Sequence, residues 1–379
     1  MTAEWIAHRT ERFDSSGIRR AFALARHLKN PINLSIGQPS FPVPEAVKEE
    51  LIRAVRADKN GYTATEGIAE LRQEIEREQF DRYQHPDRRV LITSGTTGAL
   101  TLAMLSLVNP GDEVIFFDPY FVMYPAIVEL VGGIPVILDT YPDFRIDMAA
   151  LESAITPRTK MILLNSPANP TGACLDADQI RSVAELAAAH NLCIVSDEIY
   201  SRFVFDGPHR SPAEYNERAL VIDGFSKSHA MTGLRVGFIH GPAVLIESMA
   251  KLQQFTFVCA PAPVQWACLT ALQTDTSSAI ADYGRRRDWL LEQLKDDYEI
   301  VHPGGAFYMF PRLPWGDGES FLQAAIQEEL VLIPGNVFSK RDTHFRISFA
   351  VDDATLERGA EALRRLARRA GVSQVAIEQ

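Results

Sequence analysis

The sequence predicts an α/β fold built on a mostly parallel sheet, and three observations carry that expectation. Short apolar runs recur along the chain: Val90-Leu91-Ile92-Thr93, Glu113-Val114-Ile115-Phe116-Phe117, Pro135-Val136-Ile137-Leu138, Met161-Ile162-Leu163-Leu164, Leu192-Cys193-Ile194-Val195 and Leu220-Val221-Ile222. Stretches with helical spacing of apolar residues separate them, and strands alternating with helices give parallel sheets. A length of 379 residues exceeds what one small core organises, so two domains, or one large α/β domain with an appendage, are expected.

Composition narrows the class. A hydrophobic share of 46% with 23% charged residues is ordinary for a soluble globular protein. The net charge of -11 argues against nucleic acid, which needs a basic face to displace counterions. The start, Met1-Thr2-Ala3-Glu4-Trp5, lacks the basic and apolar regions of a secretory signal, and no apolar run approaches a membrane span. The four cysteines, Cys174, Cys193, Cys259 and Cys268, are scattered with no CxxC pair or metal spacing. A reducing, cytoplasmic setting without disulfide or metal site is therefore expected.

In chain order, the polar start leads through Ser15-Ser16-Gly17 into a helix expected to run to Ala25. Asn33 to Pro44 carries Gly37, Pro39, Pro42 and Pro44, which forbid regular helix and mark an extended, turning connector. A helix follows with Ala46, Val47, Leu51, Ile52 and Val55 on one face. The turn Asn60-Gly61-Tyr62-Thr63 ends it, and Gly67-Ile68 opens another through Phe80. Between the strand ending at Thr93 and the next helix lies Ser94-Gly95-Thr96-Thr97-Gly98. Such a strand-to-helix passage of small residues exposes unpaired N–H groups that suit phosphate, and it is otherwise a simple turn. Phe121 follows the strand ending in Asp118, a place where a lone aromatic more often belongs to the core.

Asn165-Ser166-Pro167-Ala168-Asn169-Pro170-Thr171-Gly172 is a proline-braced turn after a buried strand, at the carboxyl end where open α/β sheets bind ligands. A helix from about Asp176 to His190 leads to a strand ending in Asp197-Glu198-Ile199-Tyr200. A strand-end aspartate caps a following helix or points its carboxylate at a ligand. Beyond a long helical stretch broken near Cys259-Ala260-Pro261-Ala262-Pro263, a charged helix from Tyr283 to Leu294 crosses to a second domain. That domain holds the strand-like Gly304 to Phe310, the loop Val331 to Phe338 and the strand His344 to Ala350. The last helix runs from Thr355 to Ala370, its Arg364-Arg365 and Arg368-Arg369 pairs a solvated face.

The chemistry converges on Asp223-Gly224-Phe225-Ser226-Lys227-Ser228 and the Gly233-Leu234-Arg235-Val236-Gly237 that follows. An amine that forms an imine must be partly desolvated, because water favours its inert ammonium form. Ser226 and Arg235 beside it suit a phosphate ester. Lysine imine plus phosphate anchor describes pyridoxal 5'-phosphate held by its protein. The plain alternative is a surface lysine beside a turn.

This stretch resembles the Schiff-base lysine segment of the pyridoxal-phosphate-dependent class I/II aminotransferases, of fold type I and the aspartate aminotransferase superfamily. The other motifs follow in the family's order over about residues 15 to 370. The resemblance implies a large domain with a mostly parallel seven-stranded sheet between helices, plus a smaller α/β domain. It divides the chain into residues 1–45 (N-terminal arm and part of the small domain), 46–275 (large cofactor domain) and 276–379 (small domain). It implies that Gly95, Thr96, Thr97, Ser226 and Arg235 cradle the cofactor phosphate and that Phe121 stacks on its ring. Asn169 and Tyr200 would bond its 3'-oxygen, and Asp197 would hold its pyridine nitrogen protonated. Gly37 and Arg346 would receive the substrate α-carboxylate, Gly37 through a backbone without Cβ and Arg346 through its planar fork. Tyr62 would reach the partner subunit's cofactor phosphate, making the protein a homodimer with composite sites. Ser339 stands where the family usually has glycine, which implies a small change in loop geometry.

The activity so implied is transfer of an amino group between an L-amino acid and a 2-oxo acid, with Lys227 as covalent anchor and then as general base and acid. A lyase of the C–S lyase or aminocyclopropane-carboxylate-synthase type would use the same residues. A non-catalytic sensor domain would need an N-terminal winged helix, for which the chain has no room. Phe121, Phe307 and Phe338 favour an apolar or aromatic amino acid.

Overall fold

A computed structural model describes residues 5–12 and 28–369 of the chain; the helix expected to end at Ala25 lies outside them. Its strands in chain order are β1 (Ile32–Asn33), β2 (Arg88–Thr93), β3 (Glu113–Asp118), β4 (Ile134–Asp139), β5 (Thr159–Asn165), β6 (Cys193–Asp197), β7 (Leu220–Gly224), β8 (Gly237–Pro242), β9 (Tyr308–Met309), β10 (Leu330–Val331), β11 (Ile333–Pro334) and β12 (Phe345–Ser348). The helices are α1 (Glu45–Arg56), α2 (Ala69–Tyr83), α3 (Gly95–Leu107), α4 (Met123–Leu130), α5 (Met148–Ser153), α6 (Ala177–Ala189), α7 (Phe225–Ser228), α8 (Ala243–Thr256), α9 (Ala262–Leu272), α10 (Ser277–Leu294), α11 (Gly318–Gln327) and α12 (Asp353–Arg368).

A seven-stranded sheet in the order β2-β8-β7-β6-β5-β3-β4 organises the molecule. The pairs from β7 through β4 are parallel, and β8 runs antiparallel to both its neighbours. The apolar runs lack a polar alternation because both sheet faces are covered. Met161 and Leu163 of β5 join a core with Leu100 and Met104 of α3 and Ile127 of α4. Ile162 and Leu164, pointing the other way, pack with Ile180, Val183 and Ala187 of α6. Aspartates close four helix starts among the described residues: Asp147 before α5, Asp176 before α6, Asp317 before α11 and Asp352 before α12 each accept from a first-turn N–H.

The remaining strands, four from the C-terminal third and β1 from near the start, form two small sheets. One is the antiparallel set β11-β12-β9, and the other pairs β1 in parallel with β10. Leu34, Phe307, Tyr308 and Phe345 share a core there with Leu290 of α10 and Leu363 of α12. The strand expected over Gly304 to Phe310 is confined to Tyr308–Met309. Gly305 forms an isolated bridge to Val204, and its Cα packs so tightly that an added Cβ would lie 2.5 Å from the Phe203 carbonyl oxygen and 2.8 Å from the Cys174 sulfur. Among the described residues no helix is long and apolar enough to cross a membrane.

This topology brings the functional loops together. β3, β5, β6 and β7 are parallel, so the segments after them emerge at one edge of the sheet. Two antiparallel steps through β8 return β2 to the same direction, which adds the N-terminus of α3 to that edge.

Candidate active site

At that edge a cavity of about 310 Å³ is lined by Gly37, Thr96, Thr97, Phe121, Asn169, Asp197, Tyr200, Ser226, Lys227, Arg235 and Arg346. Every sequence-predicted site residue except Gly95 and Tyr62 thus faces one space. Gly95 lies just behind it, and Tyr62 stands apart on the surface, 89% exposed.

Lys227 sits on α7, the single turn after β7, and its Nζ donates to the Gly37 carbonyl at 2.6 Å. Burial is the main cause that lowers its pKa to about 8; Arg346 and Arg235 push the same way and Asp197 opposes them. Asp197 ends β6 and is fully enclosed, and no helix begins there for it to cap. Burial raises its pKa to about 6, against the Tyr124 hydroxyl that donates to Oδ2 at 2.9 Å. Asn165 Nδ2 donates to the Asp197 carbonyl at 2.9 Å, tying the ends of β5 and β6 together.

Two arginines flank the amine. On one side, Gly95 opens α3 at φ +69, and an added Cβ would lie 2.6 Å from Arg235 Nη2. Only glycine takes this backbone freely and lets the guanidinium lie against the helix start. Ser94 makes no side-chain cap there, so the first N–H groups of α3 stay available beside Arg235, Thr96, Thr97 and Ser226. On the other side, Arg346 of β12 is 2% exposed. Its Nη1 donates to Asn169 Oδ1 and its Nη2 to the Ser35 carbonyl, both at 2.9 Å, while Nε has no partner. The guanidinium lies between the Tyr308 and Phe338 rings, 4.5 and 4.7 Å from their centroids. Neither arginine has a carboxylate partner among the described residues. For the buried Arg346 that is costly by roughly several kcal/mol unless a ligand supplies the anion.

These features fit pyridoxal phosphate. A dianion matches the Gly95–Arg235 cradle, an aldehyde can meet the Lys227 amine, and a ring nitrogen has Asp197 to face. Asn169 has given Oδ1 to Arg346, and its Nδ2 carries no hydrogen bond to the protein among the described residues.

Sequence reasoning missed Tyr124, Tyr308, Ser35 and Asn165. Tyr124 was legible in principle: it stands three residues after Phe121, and the two rings meet edge to face at 5.6 Å. Tyr308 gave no local sign, since its role depends on a sheet remote in sequence. Of the three phenylalanines taken to favour an aromatic substrate, only Phe121 lines the cavity. Phe307 packs behind Tyr200 and Phe203, and Phe338 behind Arg346, so that argument for an aromatic substrate falls away.

Comparison with known proteins agrees with this geometry. The sequence profile of the family described as aminotransferase class I and II matches residues 29–363. A putative aminotransferase of Bacillus subtilis is 37% identical over 96% of this chain and 98% of its own length. A probable aspartate aminotransferase of Methanocaldococcus jannaschii is 35% identical over 93% of this chain and 97% of its own. The solved structure of Thermus thermophilus aspartate aminotransferase with maleate matches with a TM-score of 0.90 at 32% identity, covering 95% of this chain and 99% of that one. A mostly parallel sheet, an enclosed lysine between two arginines and a full-length match lead to one conclusion: the chain belongs to the class I and II aminotransferases, enzymes that depend on pyridoxal phosphate.

Proposed function

We propose that this chain moves an amino group from an L-amino acid to a 2-oxo acid at the Lys227 cavity. The observation that carries this reading is the lowered amine of Lys227 in one cavity with Arg235 and Arg346, neither of them neutralised by a carboxylate among the described residues. Pyridoxal phosphate, when bound, supplies an electron sink that lets a proton leave the substrate Cα. Arg235, Ser226, Thr96, Thr97 and the N–H groups after Gly95 would hold its phosphate, and Phe121 would cover its ring. Asp197 would keep a proton on the ring nitrogen, and Asn169 Nδ2 and the Tyr200 hydroxyl would bond the 3'-oxygen. Arg346 clamps the substrate carboxylate through the fork edge that includes its free Nε, with Gly37 alongside. Lys227 would anchor the cofactor and, once free, would serve as the general base for the substrate Cα proton and then as the general acid that gives it back. A pKa near 8 leaves a useful share of neutral amine at neutral pH for that task.

The division into residues 1–45, 46–275 and 276–379 belongs to the same reading, supported by the pairing of β1 with β10. So does a homodimer in which Tyr62 serves the partner's phosphate site, supported by its 89% exposure on a turn that its own cavity does not use. A cytoplasmic setting is supported by the absence of any disulfide among the described cysteines.

A half-reaction tests the activity. Cofactor-loaded protein mixed with single L-amino acids, without oxo acid, should convert once to pyridoxamine phosphate and release one equivalent of 2-oxo acid. Repeated turnover with release of ammonia or thiol would instead establish the lyase alternative, which the aminotransferase relatives do not favour.

A further inference from the structure

Tyr200 and Tyr308 meet hydroxyl to hydroxyl at 2.9 Å, with their rings edge to face at 5.7 Å and 82°. Both are buried, Tyr308 to 1% exposure, and both line the cavity. Each phenol carries one proton, and the pair can share it in either direction. Among the described residues the Tyr308 hydroxyl has no hydrogen-bond partner other than Tyr200. Tyr308 also touches two further parts of the site. Its ring lies under the Arg346 guanidinium, and its hydroxyl abuts Gly37 so closely that a Cβ there would sit 2.8 Å away. Gly37 in turn accepts from Lys227. The charged groups around the pair are Arg346, Lys227 and Asp197.

We propose that Tyr308 is a positioning residue for the amino-transfer reaction: its hydroxyl donates to Tyr200 and so directs the one Tyr200 proton onto the cofactor's 3'-oxygen. This rests on the roles given above to Lys227 and Tyr200. The direction follows from counting protons. If Tyr200 donates to the 3'-oxygen, its own oxygen can only accept from Tyr308, and among the described residues Tyr308 has no competing acceptor. Donors in such a chain polarise one another, so Tyr200 becomes a stronger donor than it would be alone. A well-bonded 3'-oxygen is stabilised as an oxyanion and holds less tightly the proton it shares with the lysine-linked nitrogen. Tyr308 therefore lowers the pKa of the bound cofactor.

The test is a spectrophotometric pH titration of the cofactor-loaded enzyme as wild type, Tyr308→Phe, Tyr200→Phe and the double variant. Phenylalanine keeps the ring beneath Arg346 and removes only the hydroxyl. Tyr308→Phe should raise the apparent pKa of the chromophore by roughly half a unit or more, the scale of one modest hydrogen bond. Tyr200→Phe should raise it further, and adding Tyr308→Phe to it should add nothing. A Tyr308→Phe titration that overlays the wild type while Tyr200→Phe shifts would overturn the proposal, as would equal shifts from Tyr308→Phe in both backgrounds. A Tyr200→Phe titration that does not move would overturn the Tyr200 role instead, and a wild type without a lysine-linked chromophore the Lys227 role, each taking this proposal with it. Thermal melts of the cofactor-free variants should stay close to wild type; a Tyr308→Phe variant that both melts early and titrates like wild type assigns the hydroxyl to packing alone.

Discussion

Tyr124 donates its hydroxyl to Asp197 Oδ2 at 2.9 Å, from the first turn of the helix that follows Phe121. The carboxylate is enclosed, and burial alone would drive it toward its neutral form. Tyr124 works against burial and helps keep available the charge that a protonated ring nitrogen needs. The donor comes from α4 and the carboxylate from β6, so the pair exists only once the sheet has formed.

Tyr124→Phe should therefore weaken cofactor binding at mildly acidic pH. Losing a hydrogen bond to a charged group costs about 1.5–3 kcal/mol, or about one to two pKa units upward for Asp197. In the wild type, affinity should fall as pH drops through about 6, where the carboxylate of the cofactor-free site takes up its proton. In the variant that fall should begin closer to neutrality. Cofactor titrations between mild acid and neutral pH read this directly, and superimposable curves would refute it.

Lys227 carries a different pH signature. Only the neutral amine attacks an aldehyde, and the group is protonated below its pKa of about 8. The rate of covalent cofactor capture should rise nearly tenfold per unit up to that point and then level off. Stopped-flow absorbance of the cofactor-free protein follows it, and borohydride trapping with peptide mapping locates the label. Lys227→Ala should bind cofactor without a trappable bond, and a bond trapped at any other lysine would contradict the assignment.

Arg346→Lys should separate carboxylate recognition from the rest of the chemistry. An ammonium cannot reproduce a fork held by Asn169 and Ser35 and sandwiched between Tyr308 and Phe338. A loss of about 2–3 kcal/mol, or roughly 10²-fold in kcat/KM, is expected for amino acids. An amine of similar shape without the carboxylate should react equally with both proteins. A parallel loss for that amine would mean that the substitution disturbed the site generally.

Ser339 has a structural consequence that can be weighed separately. Tyr141 donates to its Oγ at 3.0 Å, and the Arg341 N–H donates to the same atom at 2.9 Å. The serine thus links the loop after β11 to the segment after β4. Ser339→Gly should cost about 1–2 kcal/mol from the lost hydrogen bonds and the added chain freedom. Tyr141→Phe should cost less, and the double variant should be less destabilised than the sum. Denaturant unfolding of the cofactor-free proteins measures the cycle, and strict additivity would show that the contact contributes nothing.

Much of this site was legible along the chain because its parts are local signals. The apolar runs that became β2 to β7, the proline-braced turn around Asn169 and the strand-end Asp197 each lie within a few residues of the feature that marks them. Lys227 with Arg235, and Gly95 with its two threonines, are legible through their resemblance to family motifs, since by themselves they also fit a surface lysine beside a turn and a simple strand-to-helix turn. What folding decided is the set of contacts between distant segments: Tyr124 on Asp197, Tyr308 on Tyr200, Arg346 against Asn169 and Ser35, and Ser339 against Tyr141. A hydrogen bond between residues more than seventy positions apart leaves no periodicity and no spacing. The lowered amine of Lys227 belongs with them, because it arises from burial and from two arginines, Arg235 in the turn before β8 and Arg346 on β12, that lie far apart in the chain.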